Sequence, residues 1–107
     1  MSEPLTLTAL AAPLRLLRVL AADFPNLPAP DVDVSTVFPD HLRLRFHGDF
    51  AAFEAWREAL VIPSDAITYK EQSSRTRVLT ALTEYSGAAL ILTGYSEIPA
   101  PVRGVAA

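Results

Sequence analysis

His41 and His47, with Asp31 and Asp33 shortly upstream, come nearest to a chemistry among the residues of this 107-residue chain. A histidine beside a carboxylate is the smallest unit of general acid–base work, and two histidines can begin a metal site. The spacing argues against both. His41 and His47 lie six residues apart along an alternating segment, which as a strand separates them by roughly 20 Å. They cannot share a metal ion, and no nucleophile is placed beside either. Ser35, Ser64, Ser73, Ser74, Ser86 and Ser96 are scattered, and none sits in a Gly-x-Ser-x-Gly elbow. Four glycines build neither a phosphate-cradling loop nor a dinucleotide fingerprint. With no cysteine, thiolate metal sites, disulfides and cysteine nucleophiles fall away. The sequence therefore offers no catalytic, metal-binding or cofactor-binding residue and implies no cofactor. The balance is against an enzyme.

Nucleic acid is the next chemistry to weigh. Arg43, Arg45, Lys70, Arg75 and Arg77 could share one sheet face. Phe46-His47-Gly48-Asp49-Phe50 is similar to the aromatic strand of RNA-recognition sheets. However, the Lys/Arg-Gly-aromatic-Gly order is missing, and the element order differs from βαββαβ. Asp31 and Asp33 would neutralise the patch, and the net charge is −3 with a pI near 5.2. Asp31, Asp33, Arg43, Arg45 and His47 read more simply as a wet, internally paired polar face.

The elements that position these residues follow from periodicity. Leu42, Leu44 and Phe46 alternate with His41, Arg43, Arg45 and His47, which predicts a strand with one wet face. Across Gly48-Asp49 the period lengthens, and Phe50, Phe53, Trp56 and Leu60 fall on one helical stripe with Asp49 placed to cap it. Phe and Trp at this spacing are read as core rather than as a ligand box, with Glu54, Arg57 and Glu58 on the wet side. Upstream, Leu10, Leu14, Leu17, Leu20 and Phe24 predict a first helix, with Pro13 in its opening turn. Pro25, Pro28 and Pro30 form a stiff connector. Residues 31–37 alternate and pair with residues 41–46 across Phe38-Pro39-Asp40. In that register Asp33 faces Arg45 and Asp31 faces His47.

Residues 66–72, 76–85 and 88–95 predict three more strands, with turns at Ser73-Ser74-Arg75 and Ser86-Gly87. The expected fold class is α+β: an antiparallel sheet of about five strands with two helices, in the order α-β-β-α-β-β-β. Residues 1–107 form a single domain, with residues 1–9 and 98–107 expected to be loose.

Leu79, Leu82, Leu90, Ile91 and Leu92 place apolar side chains on both faces of the later strands, unlike a sheet wet on one side. Either the first helix covers the second face or another copy of the chain does. Hydrophobic residues make up 50% of the chain and its mean hydropathy is +0.26, which favours self-association through these five residues. The expected function is a non-enzymatic binding or accessory protein working through protein–protein contacts. One alternative is a small-molecule binder or small enzyme with a pocket between the aromatic helix and the sheet, its ligand unknown. The other is a nucleic-acid-binding regulator using the Arg-bearing face.

Glu3 precedes the N-terminal apolar run and Pro13, Arg15 and Arg18 interrupt it, so no signal peptide or membrane span is read there. The expected location is the cytoplasm. Eight arginines against one lysine and one asparagine point to a GC-rich genome. This composition, rather than any motif, resembles that of small uncharacterised proteins of high-GC actinobacteria, a resemblance that implies no activity.

Overall fold

Alternation carries through to the structure at His41–Phe46, where Leu42, Leu44 and Phe46 are buried and His41, Arg43 and Arg45 are half-exposed. This computed structural model describes residues 5–48 and 50–97. A 3₁₀ turn over Leu7–Leu10 leads into helix α1 (Ala11–Asp23), followed by strands β1 (Asp31–Asp33) and β2 (His41–Phe46). Helix α2 (Ala51–Ala59), a 3₁₀ turn at Ser64–Ala66, and strands β3 (Ile67–Ser73), β4 (Thr76–Tyr85) and β5 (Ala88–Glu97) complete the order. The fold is α+β. The Asp49 cap, residues 1–4 and the tail 98–107 lie outside the described residues, while the 3₁₀ turn occupies part of the arm expected to be loose.

The strands lie side by side in the order β1-β2-β5-β4-β3. Neighbours are antiparallel except for β2 and β5, which run parallel. The meander β3-β4-β5 folds back so that its last strand docks beside β2. That makes β5 the central strand, hydrogen-bonded on both sides. Ser86 and Gly87 both have positive φ, at 51° and 84°, as a tight two-residue hairpin requires.

Both helices cover the same face of the sheet. Leu16 and Leu20 from α1, and Phe53 and Trp56 from α2, close over Leu42, Leu44, Phe46, Leu90 and Leu92 in one core. The inner stripe of α1 is not quite the expected one. Pro13, Leu16 and Leu20 point inward, and Leu14 is 42% exposed. Leu14, Leu16, Leu17 and Leu20 form an apolar band wider than the contact, so spacing alone did not choose its inner edge.

The β1–β2 register also differs from expectation. Asp31 faces Arg45 and Asp33 faces Arg43, a slip of two residues, and β1 ends at Asp33. The chain then travels through residues 34–40 instead of turning over three residues. Because two is the period of a strand, every side chain keeps its face.

Helix α2 ends in a Schellman arrangement. The Val61 N–H donates to the Glu58 carbonyl at 3.1 Å and the Ile62 N–H to the Arg57 carbonyl at 3.0 Å. Arg57, expected on the wet side, instead lies mostly covered. Its guanidinium donates to Glu54 Oε2 and to the Ile62 carbonyl, each at 2.8 Å. The bond to Glu54 holds the Arg57 pKa above its ordinary value. Among the described residues no helix is long and apolar enough to cross a membrane.

Candidate functional site

Both helices lie on one side, and among the described residues no helix covers the other face of the sheet. Its members follow from the strand pairings. Asp31 and Asp33 on β1 lie beside Arg45 and Arg43 on β2, which lie beside Thr93 and Ile91 on β5. Ile91 faces Leu82 on β4, Thr93 faces Thr80, Tyr95 faces Val78 and Ala89 faces Glu84. Thr68 and Lys70 on β3 close the far side.

The five residues expected to form an interface are therefore divided. Leu90 and Leu92 are fully buried beneath the helices, and Leu79 packs partly buried against the same core. Alternation places them on the covered face, so they cannot contact another chain there. Leu82 and Ile91 occupy the uncovered face, and Leu82 is 65% exposed.

The polar residues expected on one face are brought together there. Arg45 Nη2 approaches Asp33 Oδ2 at 4.0 Å, and His47 Nε2 lies 3.3 Å from Asp31 Oδ2. Both pairs run diagonally across the strands, a consequence of the two-residue slip. They are exposed and contribute about 0–1 kcal/mol each. The His47 ring also stacks on Tyr95, centroids 4.9 Å apart and nearly parallel. At the other end of β2, Phe38 stacks on His41 at 5.2 Å while the Arg43 guanidinium lies 5.3 Å from the Phe38 centroid. This cluster, in which residues 34–40 return Phe38 to the sheet, was not legible in the sequence.

A nucleic-acid face loses members. Arg77 lies on the covered side, its guanidinium 5.3 Å from the Phe50 centroid. Arg75 is in the β3–β4 turn. Arg43, Arg45 and Lys70 remain, and Arg45 already meets an acid. The region around His47 holds two open hollows of about 320 and 250 Å³. The first is lined by Gly48, Thr76, Tyr95, Ser96 and Glu97, the second by Asp31, Arg45 and Phe46. Among the described residues no group of three His, Asp or Glu could hold a metal ion.

The space between α2 and the sheet is filled. A Cβ added at Gly94 would sit 3.0 Å from Phe53 Cβ and 3.2 Å from Phe50 Cδ1, so no ligand fits at that point. An apolar hollow of about 260 Å³ lies instead where α1 meets the proline connector and Trp56. There the Trp56 indole N–H donates to the Pro28 carbonyl at 2.7 Å, which leaves the hollow without a free donor from Trp56.

A fourth hollow, of about 360 Å³, lies on the uncovered face, lined by His41, Leu82, Glu84, Ala89 and Ile91 among others. It lies toward the end of that face where β2 and β5 begin and β4 ends. No protein-family model matches the chain, and no curated protein resembles it closely enough to be matched.

Proposed function

We propose that this chain is a non-enzymatic binding or accessory protein that acts through protein–protein contacts made by its uncovered sheet face, beginning with a second copy of itself. The observation that carries this reading is Leu82 on β4, 65% exposed beside Ile91 of central β5, on the sheet face that no helix among the described residues covers. A large aliphatic side chain exposed on a sheet face is surface worth about 25 cal/mol per Å² when removed from water. The remainder of the face is Thr, Ala, Val and Tyr flanked by charge, the composition of an apolar centre inside a polar rim.

The test is the solution mass by light scattering across a dilution series. The wild-type chain is expected to exceed the 11.6 kDa of one copy at high micromolar concentration and to approach it on dilution. Leu82→Asp is expected to give a folded, soluble monomer, because Leu82 contributes little to the buried core of a single chain. A wild-type mass of 11.6 kDa throughout overturns the reading.

A further inference from the structure

We infer that two copies pair face to face through a two-fold axis running parallel to β5, so that Arg43 of each copy meets Glu84 of the other. This rests on the self-association proposed above and adds its geometry. Two aligned arrangements are open to a pair of sheets packed face to face. In one the two-fold axis lies along the strands; in the other it lies across them.

The charges distinguish the two. Apart from Lys70 on β3, the basic side chains of the face are gathered on β2, at Arg43 and Arg45 with His41 and His47 at the ends. Laying the axis across the strands would stack β2 on its own copy and bring arginine against arginine. Laying it along central β5 exchanges β2 with β4 and β1 with β3, because the strand order is β1-β2-β5-β4-β3. Ile91 then meets itself at the axis. His41 lies over Glu84 of the partner subunit, Arg43 over Leu82 of the partner subunit and within a diagonal step of its Glu84. Asp31 comes within a similar step of Lys70 of the partner subunit.

Two observations agree with this arrangement. Among the described residues, Arg43, Glu84 and Lys70 form no ion pair within the chain, whereas Arg45 pairs with Asp33 and His47 lies against Asp31. The hollow bounded by Leu82, Glu84 and Ile91 lies where the axis brings the Phe38–His41–Arg43 cluster of the second copy.

Charge reversal tests the geometry. Arg43→Glu and Glu84→Arg, each present twice in a two-fold dimer, should each raise the dissociation constant by about tenfold or more. The double variant Arg43→Glu/Glu84→Arg should return it to within about threefold of wild type. Thermal melts of all three show whether the fold is kept, and exposed Glu84 gives a variant that perturbs no core. A dimer that both reversals leave unchanged, or weaken without rescue in the double variant, overturns this geometry while self-association stands. Assembly beyond two copies also overturns it. A monomeric wild type overturns both.

Discussion

At the scale of single residues, Gly94 shows how closely the second helix is seated. Its φ is ordinary, so the position does not need glycine for its backbone. It needs glycine for space, because α2 lays Phe53 and Phe50 directly over β5. Replacing a strand glycine by alanine ordinarily gains about 0.5–1 kcal/mol. Here the added carbon would stand 3.0 Å from Phe53 Cβ, which is attached to the helix backbone and cannot swing aside. Overpacking of this kind costs about 1–3 kcal/mol. Gly94→Ala is expected to lower the melting temperature by several degrees, read by circular dichroism; an unchanged or raised value would show that α2 lifts easily from the sheet. Trp56 makes the complementary point. Its position in the core was legible from the Phe50–Phe53–Trp56–Leu60 spacing, but its bond to the Pro28 carbonyl was not. That partner lies 28 residues away and is a backbone atom, which no side-chain pattern announces.

At the scale of elements, the end of α2 carries strain that can be relieved. Val61 occupies the left-handed position of the Schellman motif with φ of 56°, where glycine is usual. A β-branched residue there costs about 1–2 kcal/mol in backbone strain, and with 84% of its surface exposed Val61 recovers little by packing. Val61→Gly is expected to stabilise the chain by about 0.5–1 kcal/mol, the relief of strain exceeding the added entropy of the unfolded chain. A denaturant midpoint equal to or below wild type would show that the Val61 side chain is held by a contact worth as much as the strain. Neighbouring Arg57 illustrates what element-level pattern misses. Its spacing put it on the wet side of the helix, yet the turn brings the Ile62 carbonyl within 2.8 Å and makes Arg57 part of the cap.

At the scale of the whole molecule, stability is graded across the sheet. Strand β5 has hydrogen-bonded neighbours on both sides and a helical layer over one face, while β1 is three residues long and β3 is exposed along nearly its whole length. Amide exchange is expected to be slowest in β5 and its β2 and β4 partners, and fastest in β1 and β3. Uniform protection across all five strands would contradict this ordering. The same arrangement produces the two-sided character of the molecule. One layer of helices covers a five-stranded sheet, and Leu82, Ile91, Val78 and Ala89 are left on the other side. The uncovered face is nearly balanced in charge, with Asp31, Asp33, Glu84 and Glu97 against Arg43, Arg45 and Lys70. Its association with a second copy would therefore not be opposed by net repulsion.

What the amino-acid sequence determined by itself is what depends on the local backbone. The alternation of His41–Phe46, the helical stripe from Phe50 to Leu60, the strands near residues 67–73, 76–85 and 88–97 and the Ser86–Gly87 turn all express a period or a φ preference contained within a few residues. The same period also kept Asp31, Asp33, Arg43, Arg45 and His47 on one face, since a slip of two residues leaves strand parity unchanged. Only the tertiary structure decided which strands are neighbours, with β5 parallel to β2, and on which side both helices lie. Those choices separated Leu79, Leu90 and Leu92 from Leu82 and Ile91. Alternation could sort these residues into two sets, but it could not say which set a helix would cover. That outcome depends on contacts among segments far apart in the chain, where α1, α2 and the returning meander compete for the same apolar surface.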